Sequence, residues 1–331
     1  MISVAISTAL FSPTYFIFAV VNDVNNRELH VIPNNQIHLT DWGTPLEQDS
    51  FLEVDENNGL LHILWLSLLE NSCYEFFIPL RELDCKGGML LIGCSCYGKI
   101  CFWDYKQELS KIIFYGKGQC VDELVHKRLI LDDIVLEYEN ESSTLSELRK
   151  YFFDTIPPEF RTNALIEDIL DNYMRQFVYR YLIIGKECDE NIINYCDHCA
   201  EFDYIEETLY DGTHDKLHDG SLMEYHQAGK PKKLRIEWHV EKTVYSAYFW
   251  FEDEKIRNIF DCFFGDSPDT KMDFIIRIDV ERRQYELALY KEGLIEPQII
   301  PEDVYQLLVF KNKFECYRSN NYNQERGAWM W

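Results

Sequence analysis

The chain has 331 residues, 47% of them hydrophobic and 15% aromatic, which is ample for packed cores and suggests about two domains. Its formal net charge of −25 repels nucleic-acid phosphates and anionic lipid headgroups, so neither nucleic acid nor membrane is an expected partner, whereas a basic protein surface is. The excess is concentrated between residues 121 and 226, where 25 acidic residues face nine basic ones.

The apolar opening, MISVAISTALFSPTYFIFAVVND, lacks a positive leading region and is split by Pro13, so it reads as strand and not as a signal peptide. Residues 14–21 and 28–32 are strand-like around the turn-rich VNDVNN, and 34–58 read as loop. Strands are predicted over Leu60–Leu69, Cys73–Ile78, Met89–Ser95, Lys99–Tyr105 and Lys111–Tyr115. The first 120 residues therefore form a β-rich domain.

The middle changes period. Thr144 and Glu147 make a capping box before LSELRKYFF, and apolar positions from Leu165 to Leu182 follow an i, i+3, i+4 stripe that predicts a helix of about five turns ending near Gly185. Residues 121–186 are thus a helical connector. Residues 187–231 follow as an acidic loop segment, with 12 acids and one base before Tyr225–His226 closes the run. Residues 232–331 are an α+β domain, with hairpins at Leu234–Val240/Tyr245–Phe251 and Phe274–Val280/Gln284–Tyr290, a helix at Glu254–Phe264 and a short helix from Pro301 to Val309. The fold class expected is α+β: two antiparallel-sheet-rich units joined by a helical, acidic middle segment.

Two stretches echo each other. GLLHILWLSLLENSCYEFFI and KKLRIEWHVEKTVYSAYFWF, 173 residues apart, share Leu61/Leu234, Ile63/Ile236, Trp65/Trp238 and Phe76/Phe249. Each is followed by a second hairpin, so the C-terminal domain reads as a divergent repeat of the first; the alternative is two unrelated aromatic hairpins. The pattern L-x-I-x-W-x-S-x-x-E-x-x-x-Y, Leu61 to Tyr74, resembles a family of bacterial domains of unknown function that sit beside secreted antibacterial toxins, several of them regarded as immunity proteins of type VI secretion systems. Trp65, Ser67, Glu70 and Tyr74 match the family's aromatic hairpin, and Gly93, Gly98 and Trp103 its strand pair. The second copy keeps Trp238, Glu241 and Tyr245 and lacks the serine and the glycines. The family supplies no catalytic residues.

Chemistry-bearing patterns are sparse. Cys196-x2-Cys199-x14-His214-x3-His218 has zinc-site spacing, without the aromatic and leucine of a finger core. Eleven cysteines, an odd number without framework spacing, read as free thiols of a reducing cytoplasm. Gly93-Cys94-Ser95-Cys96-Tyr97-Gly98 is one residue too long for a nucleophile elbow, and Gly116-Lys117-Gly118 lacks the rest of a phosphate loop. Glu137 and Glu139 share a strand face, an arrangement that 57 acids produce by chance.

The expectation is therefore a cytoplasmic immunity protein and no enzyme. It would bind a cognate toxin of basic surface and occlude its active site or substrate-binding surface, without a cofactor. The contact region would be the acidic segment, with Glu206, Glu207, Tyr210, Asp211 and Asp215 as representatives, since tyrosines among carboxylates supply contact area. The alternatives are a metal-dependent enzyme using Cys196, Cys199, His214 and His218, and a structural adaptor.

Overall fold

The computed structural model describes residues 2–8, 14–22, 28–38, 42–45, 50–52, 59–70, 72–85, 89–107, 109–121, 135–138, 141–144, 147, 150, 163–185, 201–218, 221, 224–240, 243–265, 267–279, 284–311 and 315–318. The chain is sheet-rich and divides into two compact units, Met1–Asn172 and Tyr173–Trp331.

The first unit contains β1 (Ile2–Thr8), β2 (Thr14–Asn22), β3 (Glu28–His38), β4 (Ser50–Leu52), β5 (Leu60–Ser67), β6 (Ser72–Pro79), β7 (Met89–Cys94), β8 (Lys99–Lys106), β9 (Leu109–Lys117) and β10 (Gln119–Cys120). A small hairpin, β11 (Val135–Tyr138) and β12 (Glu141–Thr144), and helix α1 (Asn163–Tyr173) follow. Strands run in the orders β9-β8-β7-β1-β4 and β10-β6-β5-β2-β3. Alternation sends Leu61, Ile63 and Trp65 of β5 toward Val4, Ile6, Leu90, Ile92 and Phe102 of the other layer, and these side chains form one core.

The second unit contains β13 (Phe177–Gly185), β14 (Glu201–Leu209), β15 (His214–His218), β16 (His226–Ala228), β17 (Pro231–Val240), β18 (Thr243–Phe251), helix α2 (Asp253–Phe264), β19 (Met272–Asp279), β20 (Gln284–Lys291), β21 (Gln298–Ile299), β22 (Tyr305–Lys311) and β23 (Glu315–Arg318). Its orders are β23-β22-β18-β17-β14-β15 and β16-β13-β19-β20-β21. Helix α2 buries Ile256, Phe260, Phe263 and Phe264, carries Asp253 and Glu254 in its first turn, and ends at Gly265 with φ 55°.

The two units share one topology. Every pairing among β1 to β10 recurs among β13 to β22 with each strand number raised by twelve, including the parallel pairs β1–β7 and β13–β19. A bulge recurs as well. It lies between Phe16 and Phe18 beside Trp65, and between Phe202 and Tyr204 beside Trp238. Trp65 pairs with Tyr74 and Trp238 with Tyr245, with ring centroids 5.7 Å and 5.5 Å apart. Phe249, however, lies opposite Leu234 as Ile78 lies opposite Leu61, so its counterpart is Ile78 and not Phe76. The second hairpin connection is two residues shorter, which displaces the simple alignment.

Several expectations need correction. Helix α1 stops at Tyr173, and Phe177–Gly185 is a strand. Its residues Phe177, Tyr179 and Tyr181 are buried on one side and Leu182 on the other, and a strand covered on both faces reads as a continuous apolar run that also satisfies helical spacing. The acidic stretch 187–231 is no loop from 201 onward: it supplies β14, β15 and β16. Pro301 opens a single 3-10 turn, Glu302–Val304, before β22 and not a helix. The compositional boundaries at 120, 186 and 231 do not coincide with the division at 172, because charge changes where the strand order does not. LSELRKYFF lies largely outside the described residues. No helix among the described residues is long and apolar enough to cross a membrane.

Candidate functional site

The hairpin β14–β15 decides where the acidic residues go. Pairing of Glu207 with Leu234 and of Ile205 with Ile236 puts Ile205, Glu207 and Leu209 inside, and sends Tyr204, Glu206 and Thr208 to the outer face. The turn closes on Asp211-Gly212: Gly212 sits at φ 85°, and the Asp211 carboxylate accepts the Thr213 amide at 2.8 Å and the Gln176 side-chain amide at 2.6 Å.

Three of the five anticipated contact residues are therefore interior. Glu207 is 1% and Asp211 0% exposed, and the buried Tyr210 donates its hydroxyl to the Phe251 carbonyl at 3.0 Å. Burial raises the Asp211 carboxyl above the usual range. Of the other two, Glu206 lies on the outer face, and Asp215, opposite Glu207 on the inner side of the hairpin, is exposed. A carboxylate inside the sheet cannot meet a partner without unfolding the hairpin, and an acidic run does not reveal by itself which members alternate inward.

The anticipated zinc ligands are not brought together by what is described. Cys196 and Cys199 lie outside the described residues. His214 and His218 stand on one strand four residues apart, about 13 Å between Cα atoms, which is too far for two imidazoles to share a tetrahedral ion. His214 Nε2 lies instead 3.1 Å from Glu206 Oε1. Among the described residues no group of three or more His, Cys, Asp or Glu is placed to hold a metal.

The outer face of β15, β14, β17, β18 and β22 has a different character. Arg235 sits at its centre. Its guanidinium reaches Glu206 at 3.2 Å and Glu237 at 3.3 Å and lies over Tyr204 and Tyr248 at 5.5 Å and 5.4 Å. Glu237 also accepts from Tyr204 at 3.3 Å and from Ser246 at 3.2 Å. Lys216 Nζ stands 3.5 Å from the Tyr204 centroid, Lys233 lies over Trp250, and Tyr248 stacks against Trp250 at 5.8 Å. Burial and the neighbouring carboxylates push the Tyr204 hydroxyl up to about 12, so it stays a donor at neutral pH.

The equivalent face of the first unit is more apolar, although it carries the His62–Glu75 pair and an exposed Phe77. Glu206 corresponds to Val20, Glu237 to Leu64 and His239 to Leu66, and these three are buried. One feature is retained: His62 stacks on Phe77 at 4.0 Å where Arg235 lies over Tyr248, both as directly opposed cross-strand pairs. Arg235, Tyr248 and Trp250 escaped sequence reasoning because Y-F-W at 248–250 reads as core. The signal lay in alternation, with Phe249 inward between two outward rings. No family model, curated protein or solved structure matches the chain.

Proposed function

We propose that this chain is a binding protein that acts by capture, an immunity protein of the cytoplasm that neutralises a secreted antibacterial toxin by covering its active site or substrate-binding surface. The observation that carries the reading is the contrast between equivalent faces. The first unit's face buries Val20, Leu64 and Leu66 and leaves Phe77 exposed beside the His62–Glu75 pair, whereas the second unit's is half-exposed and built of Tyr204, Arg235, Tyr248 and Trp250, the residue types that dominate binding energy at interfaces.

The physics suits capture. Two carboxylates and two rings hold Arg235 before any partner arrives, so little side-chain entropy is lost on docking. The surrounding charge of −25 accelerates encounter with a basic domain, while the face itself supplies apolar area and oriented donors. The hairpin resemblance at Leu61–Tyr74 supports the same class of function.

The test is affinity co-purification of the tagged full chain from its host, with partners identified by mass spectrometry. One stoichiometric partner with a basic domain is expected, lost when Tyr248 and Trp250 are both changed to alanine. Recovery of no partner from cells that express the neighbouring genes overturns the reading.

A further inference from the structure

The second unit carries a buried polar device where the first carries none. Val21, opposite Leu61, is a core residue of the first unit; Glu207 occupies the equivalent place opposite Leu234. A lone carboxylate in a core is costly unless its oxygens are satisfied. Oε2 of Glu207 accepts the Tyr181 hydroxyl at 2.5 Å. Oε1 lies 3.7 Å from Nε2 of His226, an interior nitrogen with no hydrogen-bond partner.

His226 opens the segment that lies across this carboxylate. Strand β16 has only three residues, at the end of its sheet order, paired with Phe177–Tyr179 of β13. Beyond it Gly229 accepts the Tyr179 hydroxyl at 2.9 Å and Lys230 accepts the Tyr210 amide at 3.0 Å. A Cβ on Gly229 would stand 2.5 Å from the Asp211 carboxylate, so the strap approaches the second buried acid as closely as backbone can.

We propose that His226 and Glu207 form a pH-set latch that fastens the strap Glu224–Lys230 over the interior of the second unit. A charged imidazole supplies a counter-charge at Oε1, whereas a neutral one leaves Glu207 with the Tyr181 and Tyr179 hydroxyls. Glu207 of β14 faces His226, as do the rings of Tyr179 and Tyr181 of β13 at 5.1 Å and 6.2 Å; Asp215 of β15 acts on it electrostatically, and the Glu224 carbonyl approaches Nδ1 at 3.4 Å. Burial depresses the imidazole, but Glu207 and then the Glu224 carbonyl and Asp215 more than offset this, and the net shift is upward. Because the folded value lies above the unfolded one, the stabilisation is fully present below about pH 6.5 and is lost as pH rises through the raised value. The strap is fastened in mild acid and loosens toward alkaline pH.

Two measurements on the full chain test this. An NMR titration of the labelled histidines, with His226 assigned by its loss in His226→Gln, is expected to place its midpoint above 6.5 and to lower it in Glu207→Gln. Hydrogen exchange, corrected for intrinsic rate, is expected to show protection of the 224–230 peptide falling roughly threefold from pH 6 to pH 7.5, below the range in which Lys230 loses its proton. Protection of β22 should stay level, and His226→Gln should abolish the fall. A midpoint at or below 6.5, or an undiminished fall in His226→Gln, overturns the latch. Should Glu207→Gln fail to fold, the wild-type titration and His226→Gln still decide.

Discussion

Trp65 donates its indole N–H to the carbonyl oxygen of Ser95 at 3.0 Å, tying the β5–β6 hairpin to the turn after β7. Around that bond the residues that carry the family resemblance interlock. Tyr74 packs tilted against the indole, and Glu70 accepts the amide of Tyr97 at 2.5 Å, where the backbone sits at φ 55°. Gly98 follows at φ 73°, with Tyr74 packed where a Cβ would lie. These residues hold a left-handed turn. Trp238, at the equivalent position in the second unit, has no acceptor for its indole N–H among the described residues.

This difference predicts unequal responses to one substitution. Both Trp→Phe changes leave a similar space, but only the change at Trp65 strips a hydrogen bond and leaves the Ser95 carbonyl short of its donor. Trp65→Phe should cost about 1 kcal/mol more than Trp238→Phe in denaturant melts. Equal costs would remove the indole bond from the account of stability.

Glu70→Ala should act on the same turn. It removes the acceptor of the Tyr97 amide and the support for a non-glycine residue in left-handed conformation. A loss of about 1–3 kcal/mol is expected, read as a lower unfolding temperature. Replacement of Tyr97 by glycine in that background should recover part of it, since glycine adopts positive φ without strain.

At the outer face, Tyr248→Ala or Trp250→Ala should each weaken partner binding by at least about tenfold, with the unfolding temperature nearly unchanged. Asp215→Asn should alter only the association rate and its salt dependence. Comparable losses of affinity at all three positions would argue for a diffuse electrostatic contact instead of an anchored one.

How far the sequence reveals this molecule depends on which physical signal each segment carries. The L-x-I-x-W stretches lie on topologically equivalent strands because alternation and a large inward tryptophan are local properties. The Phe76/Phe249 match does not survive because turn length, invisible to a fixed offset, shifts the return strand by two residues. β13 reads as helix because a strand buried on both sides loses its alternation. The acidic hairpin escapes detection because Glu207 takes a core position that alternation reserves for an apolar residue. The outer face is legible only once Phe249 is known to point inward.

Lys230 offers a pH effect opposite in sign to that of His226. Its side chain is wholly buried, with Nζ 3.8 Å from Asp261 and 5.1 Å from the Phe177 ring, and burial lowers the ammonium to about 8. The unfolded chain therefore holds more protons than the folded one between that value and the unperturbed 10.5, and stability rises with pH across this window. Lys230→Met keeps the stem and removes the charge. The variant should be more stable at pH 7, and its advantage should shrink by about 2–3 kcal/mol by pH 10.5. A gap that is constant with pH would sink this account.

The first unit also suggests how to dismantle the buried network of the second. Tyr181→Phe removes the donor to Glu207 Oε2 and leaves a charged carboxylate in the core, with an expected cost of about 3 kcal/mol near pH 8, where His226 gives least help. Glu207→Val installs the side chain found at Val21, but leaves the Tyr181 hydroxyl with Tyr179 only and takes the counter-charge from the His226 imidazole. The double variant Tyr181→Phe/Glu207→Val removes carboxylate and hydroxyl together, so it should recover most of what either single change loses. The coupling in this cycle should be about 1–3 kcal/mol, measured by urea unfolding of all four proteins. It should also weaken toward pH 6, where protonated His226 partly shields Glu207 in the Tyr181→Phe chain. Additive single effects would mean that the carboxylate and the hydroxyl are each satisfied independently, and that Glu207 stands in the core without depending on Tyr181.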